Sequence, residues 1–144
     1  MFSKTCEYAI RAMIFIAQRS KKGEKAGIKE ISKEIDSPEA FIAKILQDLG
    51  RRGLVLSTKG PNGGFYLDDK LLDGSLAAIV KAVDGEKIFS GCGLGLKQCS
   101  EVHPCPIHNE FKSIRESMKR MLEQAKLGSF TMELEKKLTF LRRA

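Results

Sequence analysis

No stretch of this chain approaches the roughly 18 to 20 consecutive apolar residues that a membrane span needs, and no membrane partner is expected. It also has no phosphate-binding glycine loop, no dinucleotide fingerprint and no acid–base constellation, so nothing in it supports an active site. Internal repeats and low-complexity tracts are missing as well. The opening run MFSKTCEYAIRAMIFIA resembles an export signal at first sight. Glu7 and Arg11 interrupt it, however, and no small-residue cleavage site follows, so it reads as a core helix of a cytoplasmic protein.

What is present is a chain of 144 residues, 42% hydrophobic and 30% charged, enough for one core or for a small domain with an accessory segment. A net charge of +7 favours an acidic partner, and nucleic acid is the commonest one for a small basic chain. Four cysteines could form disulfides in a secreted domain. With no export signal, the clustering of three of them between Ser90 and His108 points instead to metal or redox chemistry.

Helical periodicity organises the first half. Cys6, Ile10, Met13 and Ala17 recur on one face of a first helix, which makes Cys6 a core residue rather than a ligand. Ile28, Ile31 and Ile35 mark a second, short helix that stops at Asp36-Ser37-Pro38. A third begins at once: Asp36 or Ser37 can cap it, Pro38 suits a first turn, and Glu39 faces the positive end of its dipole. Its buried stripe is Ile42, Ile45, Leu46 and Leu49. Ala40, Ala43, Lys44, Gln47 and Arg51 lie opposite, leaving small and hydrogen-bonding side chains free to enter a major groove. The following LVLSTKGPNGGFYLDD reads as two β-prone runs around a glycine-rich turn. Three helices and a hairpin are the order of a winged helix.

The second half opens with a helix in DGSLAAIVKAVDG that ends at Asp84-Gly85. Beyond the cysteine loop, Phe111, Ile114, Met118, Met121 and Ala125 alternate at spacings of three and four, a short coiled-coil seam that requires a second helix; Leu122 is counted with them as interface. The last segment, TMELEKKLTFLRRA, repeats Leu134, Leu138 and Leu141 and is expected to fold back on that seam. The organisation expected is a DNA-binding winged helix-turn-helix over residues 1–70. Residues 71–144 then carry the cysteine loop (90–108) and a long dimerisation helix, in a mainly α fold.

Within the loop, Cys92, Cys99, Cys105 and His108 have the form C-x6-C-x5-C-x2-H, which lacks the paired C-x2-C knuckles of a zinc ribbon. Three thiolates and an imidazole can hold zinc or an iron–sulphur cluster, or the thiols can act without metal. Gly91, Gly93 and Gly95 would let backbone N–H groups approach an anionic cluster. His103, between Val102 and Pro104, reads as solvated. An electron-transfer protein is the alternative of a different class. A regulator should lose DNA affinity steeply with salt, as an electron carrier would not.

The stretches YAIRAM, IKEIS, FIAKILQDLGRRGLV, STKGPNGGFYL and CPIHNEF together resemble the Rrf2 family of bacterial winged-helix transcription regulators, over essentially the whole chain. The cysteine spacing is similar to the cluster-binding branch of IscR and NsrR rather than to the CymR branch. The resemblance implies a homodimer joined through the helix that begins near His108, docked on a palindromic double-stranded operator. It implies DNA contacts from Ser37, Pro38, Ala40, Phe41, Lys44, Gln47 and Arg51 on the third helix and from Lys59, Gly60, Asn62 and Gly63 in the wing. It further implies a cluster, 2Fe–2S ahead of 4Fe–4S, on Cys92, Cys99, Cys105 and His108, serving redox, iron or nitric oxide sensing and prone to loss in air. Glu7 aligns with an acidic residue that in some NsrR-like members ligates the partner subunit's cluster; an i,i+4 ion pair with Arg11 is the plainer reading. Two departures leave operator preference open: Lys59 stands where relatives often have arginine, and Ala43 where the IscR branch has an acidic residue.

Overall fold

In the computed structural model, which describes residues 1–142, the first helix is the element around which the others gather. Helix α1 (Lys4–Lys21) begins at Ser3, whose Oγ accepts the Cys6 N–H at 3.0 Å. Ser3 is itself held from a distant part of the chain, because its N–H donates to Asp84 Oδ2 at 2.9 Å and its hydroxyl donates to Asp84 Oδ1. The predicted face of α1 is buried at Cys6, Met13 and Ala17. Ala9, Ala12, Phe15 and Ile16 are buried too, so α1 is packed on more than one side.

Helix α2 (Ile28–Ile35) buries Ile31 and Ile35, and α3 (Glu39–Arg51) buries Ile42, Ile45, Leu46 and Leu49 against it and α1. The turn between them differs from the expected cap. Asp36 takes the left-handed conformation (φ 53°) and closes α2 by donating its N–H to Ser32 O, while α3 starts from Pro38 without any side-chain cap. Ser37 cannot cap because its side chain is turned inward and buried.

Strands β1 (Leu56–Thr58) and β2 (Gly64–Tyr66) form the wing, antiparallel, with Leu56 opposite Tyr66 and Thr58 opposite Gly64. The link before α2 joins this sheet as well: Ala26 and Phe65 exchange both backbone hydrogen bonds, at 2.9 and 2.8 Å. That close approach explains one of the wing glycines. Gly64 has φ 147°, and a Cβ there would lie 2.8 Å from the Ala26 carbonyl oxygen. Ser20 Oγ accepts the Leu67 N–H at 2.8 Å and so ties the wing's exit to α1.

After a single-turn helix α4 (Asp69–Leu72), α5 (Leu76–Asp84) is capped by Ser75, whose Oγ accepts the Ala78 N–H at 3.3 Å. One further turn, α6 (Lys87–Ser90), leads to the cysteine loop, and the loop to α7 (His108–Gln124). Two apolar clusters result. The larger joins α1, α2 and α3 with Val55, Leu67, Ile79 and Leu127; the smaller joins Cys6, Ala77, Val80, Phe89 and Leu122.

The C-terminal segment departs from expectation. Instead of returning along α7, a 3-10 turn (Leu127–Phe130) and α8 (Thr131–Glu135) lie against α1. The chain turns away where Ala125 becomes extended, and Gln18 and Lys22 of α1 then hold Glu135 at 2.6 and 2.8 Å. Leu141 packs on the main core whereas Leu138 is exposed. Residues 143 and 144 of that expected segment lie outside the described residues.

The Gly64→Ala variant should lose on the order of 1–3 kcal/mol of stability, read as a lower urea midpoint at fixed protein concentration. Gly50→Ala, on an exposed helical position with nothing nearer than 3.8 Å to the new Cβ, should be neutral or slightly stabilising. Equal midpoints for the two variants would contradict the wing packing.

Candidate nucleic-acid interface and cysteine loop

The outward face of α3 presents Pro38, Ala40, Phe41, Lys44, Gln47 and Arg51, all exposed, with Ala43 half-buried among them. Ser37 does not belong to this surface: it is 8% exposed, its Oγ buried and without a partner among the described residues. Phe41 is only partly free, since its ring meets Tyr8 edge-on at 5.4 Å. Tyr8 in turn carries the Arg11 guanidinium at 4.9 Å, and Arg11 donates to the carbonyls of Ile35 (2.9 Å) and Leu141 (3.1 Å). This brace fixes α3 on α1, and no local pattern in the sequence points to it.

Arg11 is therefore unavailable to Glu7. The expected i,i+4 pair is absent, and Glu7 instead pairs with Lys4 at 3.8 Å on the exposed side of α1. On the reading face the cations divide in two. Arg52 is paired with Asp48 at 3.3 Å, while Lys44, Arg51 and Lys59 make no ion pair among the described residues. In the wing, Lys59, Gly60 and Asn62 are exposed at the tip and Gly63 is half-buried behind them. Unpaired cations on an exposed helix and an exposed tip form a surface suited to phosphate contacts.

The cysteine loop brings its candidate ligands together in two pairs. Cys99 Sγ is 3.4 Å from His108 Nδ1, and Cys105 is near enough to Cys92 to help lower its thiol; all three loop thiols are free and half-buried. Among the described residues, no three His, Cys, Asp or Glu side chains converge on one point as ligands of a single ion would. Backbone N–H groups of Leu94 above all, then Leu96, lower the Cys92 thiol from its usual range. Cys6 behaves in the opposite sense: burial, reinforced by Asp84, pushes it up to about 12, which fits its place in the core. The loop glycines have packing duties besides. A Cβ on Gly93 would meet the Phe111 ring at 2.8 Å, so the loop can lie flat on α7 only with glycine there.

His108, the first residue of α7, is 5% exposed. Its Nε2 faces Glu101 Oε2 at 3.3 Å, short of the alignment of a hydrogen bond, and Lys112 holds Glu101 from the other side. Lys112 above all, then His108, keeps the Glu101 carboxyl below the usual carboxylate range. Two turns along α7 from His108, Arg115 is 6% exposed; its Nη1 donates to Gly91 O at 2.8 Å, while its Nε has no partner among the described residues. His103 is exposed, as expected.

Helix α7 has two faces seven residues apart in repeat. His108, Arg115 and Leu122 point inward, and Leu122, 1% exposed in the cluster under α5, is thereby removed from the expected interface. Ile107 just before the helix, then Ile114 (66% exposed) and Met121 (53%), point outward, with Phe111 and Met118 half-buried at the edge. Ala125 is beyond the helix, its carbonyl taken by the Leu76 N–H at 3.0 Å. Beside this row, a groove of about 580 Å³ runs past Ser3, Asp84, Cys92 and Phe111.

Glu101, Arg115 and Ile107 are the site residues that sequence reasoning missed. The spacing of seven from His108 to Arg115 to Leu122 carried the signal for Arg115. Glu101 carried none, because both its partners come from the next helix.

Residues 2–133 match the Rrf2 family model, described as an iron-dependent transcriptional regulator. A transcriptional regulator of the helix-turn-helix type from Aquifex aeolicus is 31% identical over 117 residues, 80% of each chain. In structure the chain is similar to CymR, the global cysteine regulator of B. subtilis, with a TM-score of 0.73 at 19% identity over 92% of this chain and 96% of that one. It is similar also to IscR of T. potens, with a TM-score of 0.72 at 20% identity over 96% and 91%. These two likenesses speak for the fold, mainly helical with a small wing. No helix among the described residues is long and apolar enough to cross a membrane. The match over nearly the whole length, on a chain with this helix-turn-helix and wing, makes the protein a member of the Rrf2 family: a DNA-binding transcription regulator, and not an enzyme.

Proposed function

We propose that this regulator acts in the cytoplasm as a homodimer on a palindromic DNA site, and that a 2Fe–2S cluster on Cys92, Cys99, Cys105 and His108 sets its affinity for that site. The observation that carries the proposal is the pairing of the four donors. A lone zinc ion needs all four around one point. A dinuclear cluster takes two protein ligands on each iron, and Cys92 with Cys105 and Cys99 with His108 are two such pairs. The family's description as iron-dependent supports the same choice. It also favours a regulator over an electron carrier.

When bound, the cluster would cross-link the loop, and its loss or oxidation would change the loop's charge and shape. The chain's own residues then connect the loop to the dimer helix. His108 opens α7, Gly93 lies on Phe111, and the Arg115 guanidinium grips the Gly91 carbonyl. Ile114 and Met121 are on the outer face of that same helix, where a second copy of α7 would bury them. Ordering the loop therefore bears on how the two reading heads are spaced, without touching DNA.

Protein purified without oxygen and analysed for iron, sulphide and zinc should contain iron and sulphide in equal amounts, two of each per chain, with visible absorbance. One zinc per chain in a colourless protein would overturn the cluster reading. A second reading, a metal-free thiol switch, rests on Cys92 lying beside Cys105; a peroxide oxidant would take two electrons and two protons from the pair and leave a disulfide. It would be favoured by protein that holds neither metal nor sulphide yet changes DNA affinity on oxidation.

Replacing Lys44 or Lys59 by Ala should weaken DNA binding and lower the slope of log K against log salt by about one for each phosphate that is no longer neutralised. Unchanged binding in both variants would remove α3 and the wing tip from the interface. Glu at Ile114 and Met121 together should split the dimer, because carboxylates would be buried in the seam. A variant that still sediments as a dimer would mean that the subunits meet elsewhere.

A further inference from the structure

His108 has a polar neighbour at each ring nitrogen, and the two are chemically different. Its ring is 5% exposed, with Nδ1 3.4 Å from Cys99 Sγ and Nε2 3.3 Å from Glu101 Oε2. The two nitrogens diverge across the imidazole ring, so Glu101 cannot share with Cys99 a metal bound at Nδ1. It can only act from behind. Lys112, one turn along α7 from His108, contacts Glu101 Oε1 and leaves Oε2 free beside the histidine, close enough that a small rotation of the carboxylate would complete a hydrogen bond. A carboxylate that accepts from the non-ligating N–H of a histidine fixes both its tautomer and its ring orientation.

We propose that Glu101 is a positioning residue that holds Nε2 of His108 and leaves Nδ1, facing Cys99, as the nitrogen that binds the cluster. The inference rests on the reading of the loop as a cluster site. It adds to that reading a choice between the two ring nitrogens and a role for a residue that contributes no ligand. Lys112 completes the device, because with Glu101 anchored at one oxygen the other has a defined direction.

The test uses the full-length protein, grown with histidine labelled with nitrogen-15 at Nδ1 only, and reconstituted without oxygen with ferrous iron and sulphide. Pulsed electron paramagnetic resonance of the dithionite-reduced cluster then distinguishes the strongly coupled, coordinated nitrogen from the remote one. The coordinated nitrogen should be nitrogen-15. Glu101→Ala should melt at the same temperature without cluster, yet lose iron to a chelator roughly 10–100-fold faster, the range usual for loss of such an outer partner. Glu101→Gln, whose amide oxygen still accepts from Nε2, should retain most of the wild-type rate and the nitrogen-15 signature. A coordinated nitrogen-14 in the wild type, or an Ala variant that keeps both the signature and the wild-type rate, would overturn the role of Glu101 while leaving the cluster in place. Wild-type protein that takes up no iron and sulphide would instead overturn the reading on which the inference stands.

Discussion

The burial of α1 on more than one side is the constraint from which the rest of the molecule follows. Its middle supplies Met13, Ile16 and Ala17 to the core that holds the helix-turn-helix, and its first turn supplies Cys6 to the cluster beneath α7. A single rigid helix thus spans the reading head and the segment that carries the cysteine loop. Asp84 strengthens this junction by taking both the N–H and the hydroxyl of Ser3. Tyr8 and Arg11 extend it to α3 and to the C-terminal segment. Displacement of α7 relative to α5 cannot leave α1 unaffected, because Leu122 and Cys6 share one apolar cluster.

Much of the fold is legible in the sequence because its signals are local. Ile31 and Ile35, then Ile42, Leu46 and Leu49, mark the two helices by spacing alone, and the glycine-rich run from Gly60 to Gly64 marks the hairpin. What is not legible depends on groups far apart in the chain. Nothing near Ala26 announces that its backbone joins the wing, nothing near Asp84 that it captures Ser3, and nothing near Leu141 that it meets Arg11. The cap before α3 fails for a related reason: Ser37 has the right chemistry, but the turn directs its side chain into the interior.

For the candidate site, residue type and spacing single out the candidate ligands but not their grouping. Phe111, Ile114, Met118 and Met121 have seam periodicity, yet periodicity alone does not tell the row that packs under α5 from the row that faces outward, and Leu122 belongs to the first of these. The inward row carries an unusual member. Arg115 brings a buried guanidinium to the start of the cysteine loop, fixed by one carbonyl and with an Nε that has no partner among the described residues. Burying a cation costs free energy unless something compensates it, and a ligated cluster in the loop, with its negative charge, would supply that compensation. Helix α7 and the loop are joined by this guanidinium as well as by the packing of Gly93 on Phe111.

The central claim is that the state of this loop sets DNA affinity, and one equilibrium measurement tests it most directly. Fluorescence anisotropy on a labelled promoter fragment, at one fixed salt concentration and without oxygen, would compare protein carrying the cluster with the same preparation after its removal by chelation. The account predicts a change in Kd of about 5–150-fold, the range of ordinary allosteric coupling. Identical Kd values for two preparations that differ only in the loop would contradict it.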